Sequence, residues 1–125
     1  GRECPLTGSL KADEFYVVTN DLVRFEQFFN SAADLECAFI NGNGNDAVEL
    51  IAIDGRVIDS FGDANVDGTN TIWWYQDGYG YRKSGVPTTG GFKESDWDVQ
   101  AGAFSGKTVN GDVAPMATFS LVPVQ

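Results

Sequence analysis

Hydrophobic and polar positions alternate along this chain in short runs separated by Gly, Asn and Asp, the pattern of β-strands joined by tight turns. The longest uninterrupted run is Asn41–Gly62, NGNGNDAVELIAIDGRVIDSFG. Its two β-rich halves, Ala47–Ile53 and Val57–Phe61, flank Asp54-Gly55, a pair suited to the positive φ angles of a type I′ turn, so the pattern predicts a two-residue hairpin loop. That loop pairs Ile53 with Arg56, Ala52 with Val57, Ile51 with Ile58, Leu50 with Asp59 and Val48 with Phe61. Side chains alternate across a strand, so Val48, Leu50, Ala52, Val57 and Phe61 are predicted to share the core face, with Ile51 and Ile58 paired on the other. Asp59 projects among the core residues, opposite Leu50, where an unpaired carboxylate costs several kcal/mol. One reading makes it an anchor that accepts backbone N–H bonds from the glycine-rich segment Asn41–Asp46; the other makes it a metal or catalytic carboxylate. No second titratable group with a matching role is adjacent, so the anchor leads.

Upstream, Phe15–Thr19 reads as a strand of aromatic and β-branched residues. Asn20 or Asp21 then caps the one helix, Asp21–Ala32, whose Leu22, Phe25 and Phe29 recur at helical spacing. Phe28 widens that apolar stripe, while Arg24, Glu26 and Gln27 face water. Downstream, Ser84–Gly91 is a loop, Ser95–Val99 returns to a strand with Trp97 inward, and Ala101–Asp112 is glycine-rich and polar. Pro115 opens a last extended segment in which Phe119 and Leu121 alternate with Thr118, Ser120 and Val122. The pattern describes an all-β domain with one short α-helix.

Composition narrows the function. A chain of 125 residues suits a single domain with its own core, and 15 Gly among many Asn and Asp supply the turns. A net charge of −10 with only 8 Lys and Arg argues against nucleic acid and anionic membranes, both of which call for a basic patch. No apolar run is long enough to span a bilayer, and no N-x-S/T sequon is present. There is no His, which removes the common zinc sites and the Ser-His-Asp and Cys-His nucleophile systems. Cys4 and Cys37 are the only cysteines and lack a CxxC spacing, so a disulfide between them, in an oxidising and therefore extracellular setting, is the simplest use.

Two stretches carry candidate chemistry. Asp63-x-Asn65-x-Asp67-Gly68 matches the first half of a calcium loop, but Trp74 stands where the bidentate Glu belongs, and Asx-Gly runs are also ordinary turns. Calcium is thus the one cofactor the sequence raises. Trp73, Trp74, Tyr75, Tyr79 and Tyr81 form an aromatic cluster that either covers the end of the fold or presents rings to a glycan or a protein. Carboxylate pairs such as Asp46 with Asp59, or Glu94 with Asp96, do not read as facing across a cleft, so an enzyme is the least favoured class.

The run GNDAVELIAIDGRVIDSFGD, followed by VDGTN, Trp73-Trp74, YGYRKSG and later Ser95-Asp96-Trp97, resembles the lamin-tail-like domain in its secreted form, over roughly Thr7–Trp97. The resemblance implies an immunoglobulin-like β-sandwich used as an extracellular or cell-surface interaction module without catalysis. It also implies structural roles for Asp46, Asp59 and Arg82, with Arg82 as the partner of a buried carboxylate such as Asp59. The family's opening strands have no counterpart here, which leaves a sheet edge open to another strand. Residues 2–10, or the run 117–124 carrying Phe119 and Leu121, are the expected fillers, from the same chain or from a neighbour in a head-to-tail filament. The expected partners are therefore other protein chains, including copies of itself, with glycans as the alternative.

Overall fold

The computed structural model describes residues 2–116, which form two compact units: residues 2–42 with 106–116, and residues 43–105. Among the described residues are three two-stranded sheets, one α-helix and one tight 3-10 turn. Phe119 and Leu121 lie outside the described residues.

In the first unit β1 (Val18–Thr19) and β2 (Leu35–Glu36) pair in parallel, and α1 (Leu22–Phe29) forms the crossover between them. Two carboxylates satisfy the helix start: Asp21 accepts from the Arg24 N–H at 2.9 Å and Glu36 from the Leu22 N–H at 3.0 Å. Asn30 ends the helix in the left-handed region, φ 52°, with its N–H donating to the Glu26 carbonyl at 2.8 Å. The helix thus stops short of the predicted Ala32. Phe25, Phe28 and Phe29 are half-buried and mutually packed, with centroids 4.6 and 4.8 Å apart. Leu22 is 40% exposed instead of completing the stripe. As the first helical residue it covers the turn before its own Cα, away from the phenylalanines.

The strand expected over Phe15–Thr19 pairs only at Val18 and Thr19. Asp34 takes over the Val17 backbone, accepting from its N–H at 2.7 Å and donating its own N–H to the Val17 carbonyl at 2.8 Å. Cys4 and Cys37 form a disulfide that ties the N-terminal arm to the end of β2 across 33 positions. Closing that loop contributes about 3–4 kcal/mol in the chain-entropy picture. Buried Asn110 donates its backbone N–H to the Phe28 carbonyl at 2.7 Å, and its side chain accepts from the Ala114 N–H at 2.8 Å.

In the second unit the hairpin of β3 (Val48–Ile51) and β4 (Val57–Phe61) differs from the predicted one in its loop. The Ala52 N–H donates to the Arg56 carbonyl at 2.8 Å and the Gly55 N–H to the Ala52 carbonyl at 2.9 Å, which makes Ile53-Asp54-Gly55 a three-residue loop. Only Gly55 takes a positive φ, 89°; a type I′ turn would require one at Asp54 as well. Asp54 instead keeps ordinary backbone and accepts the Arg56 N–H at 3.0 Å, a local bond that this loop offers and the tighter one does not. The extra loop residue moves the register by one, so Ile51 faces Val57 and not Ile58. Ile58 then bulges out of β4 and moves the register back, restoring Leu50 opposite Asp59 and Val48 opposite Phe61. Two one-residue shifts cancel.

Burial on this hairpin is one-sided. Val57, Asp59 and Phe61 of β4 are half-buried, whereas Val48, Leu50 and Ile51 of β3 are exposed by 50%, 44% and 50%. The predicted core face is covered along β4 only, because the aromatic side chains of the unit gather on Phe61. Its ring meets Trp97 at 4.9 Å, Tyr75 and Phe92 at 5.6 Å each, and Trp73 at 6.3 Å, mostly edge to face. Trp73 is the most buried of these, 6% exposed, and lies against Gly62 and Gly68.

A Cβ at position 68 would overlap the Trp73 ring, while one at position 91 would meet open space. Gly68→Ala is expected to cost about 1–3 kcal/mol through overpacking. Gly91→Ala should leave the melting temperature within error of the parent, so paired thermal denaturation of the two variants checks the packing of Trp73.

Candidate functional site

β5 (Tyr79–Arg82) and β6 (Trp97–Gln100) pair antiparallel, with Arg82 opposite Trp97 and Tyr81 opposite Asp98. Alternation along β5 sends Gly80 and Arg82 toward Phe61, and Tyr79 and Tyr81 to the other face. The Arg82 side chain is 9% exposed. Its Nη2 donates to Asp59 Oδ1, its Nη1 lies 3.8 Å from Asp96 Oδ2, and its guanidinium sits 4.6 Å over the Trp97 ring. Asp59 Oδ1 also accepts from the Ser60 N–H at 2.8 Å and from the Thr88 hydroxyl at 3.0 Å. The cluster spends its charges on itself and fastens β4 to β5.

The glycine-rich segment before the hairpin bonds elsewhere than to Asp59. Asp46 accepts the Asn43 N–H at 3.0 Å, Gly44 accepts the Tyr75 N–H at 2.9 Å, and Asn45 accepts the Gly68 N–H at 3.0 Å. The segment enters β3 at Val48, opposite Phe61, so it meets residues 67–76, while Asp59 sits mid-strand and faces β5.

Asn65 and Asp67 line a shallow depression with Asn45 and Asp46, and Asp63, Asn65 and Asp67 are all exposed. Asp63 accepts the Asn65 N–H at 2.9 Å, and Asp67 Oδ1 accepts from Asn45 Nδ2, the Thr69 N–H and the Thr69 hydroxyl at 2.9, 2.9 and 2.7 Å. The Thr69 bonds hold the Asp67 carboxyl below its ordinary value. These carboxylates act as turn acceptors, and among the described residues no group of three or more Cys, Asp or Glu is placed to hold a metal.

The aromatic cluster divides. Ile72–Tyr75 is folded by turns and not extended, with the Trp74 N–H on the Thr71 carbonyl at 3.3 Å and the Gly78 N–H on the Tyr75 carbonyl at 2.9 Å. Trp73 and Tyr75 both reach Phe61, and burial raises the Tyr75 hydroxyl above its usual value. A ring as buried as Trp73 has no face to offer a ligand. Tyr79 and Tyr81 stack at 6.0 Å on the outer face of β5, with Phe104 5.6 Å from Tyr79. The Tyr81 hydroxyl donates to Asp98 Oδ2 and Gln100 Nε2 to Asp98 Oδ1, each at 2.8 Å.

Phe92, Thr88 and Phe104 were not marked by the sequence pattern, and Asp96, raised there as a carboxylate paired with Glu94, is instead placed beside Arg82. Each lies in a loop or beyond a long connection, where alternation gives no register. The hairpin leaves apolar side chains open: Val48, Leu50, Ile51 and Ile58 are exposed, and Ile53 at the tip is fully so. Comparison of the chain with protein families, curated proteins and solved structures gave no match.

Two outcomes follow from this geometry. Removing the guanidinium leaves Asp59 and Asp96 without their cation, so Arg82→Ala should lower stability by about 3 kcal/mol in denaturant titration, and Asp59→Asn by less. The second concerns Tyr81 and Asp98. Their bond depresses the Asp98 carboxyl and raises the Tyr81 hydroxyl. A depressed acid gives stability that is present above its unfolded value and lost as pH falls through the folded one. A raised hydroxyl gives stability that is present below its unfolded value and lost as pH rises through the folded one. The stability gap between the parent and Tyr81→Phe should therefore be open at neutral pH, and should close below pH 3.8 and again above pH 10.0.

Proposed function

We propose that this protein is a non-catalytic interaction module, working outside the cell or at its surface, whose open strand β3 pairs with strands of other protein chains, copies of itself included. The observation that carries the reading is that β3 is exposed at every position and has β4 as its only strand partner among the described residues. A two-stranded sheet is marginal alone, and an outer edge with unpaired N–H and C=O groups is completed by a third strand. Val48, Leu50 and Ile51 would be covered in the same step.

The fold that goes with this reading is an immunoglobulin-like β-sandwich of the lamin-tail-like kind. It is supported by β4 lying against β5 and β6 through Phe61, Trp97 and the Asp59–Arg82 pair. The disulfide and the charge of −10 support an extracellular setting. A glycan-binding reading is favoured by one observation, the stacked Tyr79 and Tyr81 rings beside Asp98 and Gln100, polar groups of the kind that orient a sugar on an aromatic face. A glycan array run with and without chelator addresses it.

Sedimentation velocity over a dilution series tests the edge-strand reading. The parent should associate as concentration rises. Leu50→Lys, which places a charge on the open strand at a 44% exposed position, should remain monomeric with an unchanged melting temperature. A parent that stays monomeric at the highest concentration and captures no extended peptide would overturn it, as would a Leu50→Lys variant that associates like the parent.

A further inference from the structure

The chain contains three Asn-Gly pairs, Asn41-Gly42, Asn43-Gly44 and Asn110-Gly111. Such a pair is chemically labile in open backbone, because the glycine nitrogen has no side chain beside it and can reach the asparagine Cγ. The fold treats the three differently.

Asn110 is 3% exposed, and its amide is held at both ends: Nδ2 donates to the Gly111 and Ala114 carbonyls at 3.0 and 3.3 Å, and Oδ1 accepts the Ala114 N–H at 2.8 Å. Its Cγ cannot turn to the Gly111 nitrogen without breaking this set. Asn43 is exposed, but its backbone is fixed on both sides, with its own N–H on Asp46 at 3.0 Å and the Gly44 carbonyl on the Tyr75 N–H at 2.9 Å. Gly44 is also buried against the Gln76 backbone. Asn41 and Gly42 are both exposed and form no hydrogen bond, through backbone or side chain, among the described residues. They are the last two residues of the first unit's N-terminal segment, directly before Asn43 opens the second.

We propose that Asn41 is a site of spontaneous backbone modification, selected from three chemically equivalent sites by the hydrogen bonds that immobilise the other two. The Gly42 nitrogen gives up its proton to solvent base and attacks Asn41 Cγ. The new N–Cγ bond closes a cyclic imide, the Cγ–Nδ2 bond breaks, and ammonia leaves with a proton taken from water. Water then opens the imide at one carbonyl or the other and leaves aspartate or isoaspartate at position 41. Water is consumed and ammonia released, with no oxidant, metal or enzyme. The product carries a new negative charge, and in the isoaspartate form one more backbone carbon, at the end of the first unit's N-terminal segment.

The test is peptide mapping by mass spectrometry after the folded, disulfide-bonded protein has been held in mildly alkaline buffer, with isoaspartate identified by its fragmentation. Asn41 should convert at least about tenfold faster than Asn43 and Asn110, whose reaction waits on local opening. In the reduced and denatured chain the three rates should converge. Gly42→Val, which hinders the attacking nitrogen, should suppress conversion at Asn41. Conversion of Asn43 or Asn110 as fast as Asn41 in the folded protein would overturn the proposal. So would an Asn41 that stays intact under conditions in which the denatured chain reacts at all three.

Discussion

The second unit depends on one buried cation. A guanidinium does not shed its proton at any accessible pH, so a side chain left 9% exposed must be met by carboxylates and hydrogen-bond acceptors. Arg82 finds Asp59 on β4 and Asp96 in the turn before β6, and covers the face of Trp97. Three separate stretches are thereby fixed around a single planar group. Asp59 stands two positions before Phe61 on the same face of β4, so seating the carboxylate also seats the phenylalanine on Trp97. Trp73, Tyr75 and Phe92 then close around Phe61. Burial of an ion pair is seldom a source of net stability compared with an apolar core, and the value here is better seen as register: a strand slipped by one residue would aim Ser60, not Asp59, at the cation.

The first unit is held together in a different way. Ala114 is its one buried apolar residue among those described, and the three phenylalanines of the helix remain half-buried. What fixes its path are directional bonds and a covalent one. Asp21 and Glu36 hold the helix start, Asn30 its end, Asp34 the strand before it, and Asn110 the returning segment. The disulfide supplies the constraint that a thin core cannot. Three Asx side chains (Asp21, Asp34 and Asn110), the Glu36 carboxylate and the left-handed backbone of Asn30 do this positional work, which gives the unit's Asx residues a use without a polar cleft.

Much of the local structure is legible in the sequence because it is set by neighbours. The helix start at Asp21 follows from a capping carboxylate, and the hairpin from two β-rich runs around Asp54-Gly55. The loop length is not legible: Asp54-Gly55 serves both a two-residue and a three-residue loop, and the choice falls to the bond between the Asp54 side chain and the Arg56 N–H. The Ile58 bulge then hides the difference from every pair beyond it. The alternation shows that Asp59 needs donors. Which donors it has depends on where Thr88 and β5 lie, and the long connection from Lys83 to Ser95 carries no periodicity to reveal that. The split in the aromatic cluster is likewise tertiary. Trp73 is buried because Gly62 and Gly68 leave room against its ring, a fact that spacing along the chain does not encode.

An open, apolar edge strand invites indiscriminate pairing, and two features of this chain limit it. The first is Glu49, a charge in the middle of β3, which any incoming strand must accommodate or neutralise. The second is the long-range field of a chain with 18 acidic and 8 basic side chains, which slows the encounter of two copies at low salt and spares a partner of opposite sign. The two act at different ranges. The field governs how often strands meet, and Glu49 governs whether a meeting can settle into register. An edge guarded in this way is selective without being closed, because both barriers are electrostatic and neither covers Val48, Leu50 or Ile51. Screening by salt lowers the first barrier and leaves the second largely in place, since a charge facing a paired strand is within direct contact and well inside the screening length. If β3 pairs with an incoming strand as proposed, selectivity rests on the residue opposite Glu49, and a strand offering a cation or hydrogen-bond donor there is favoured over one offering another carboxylate.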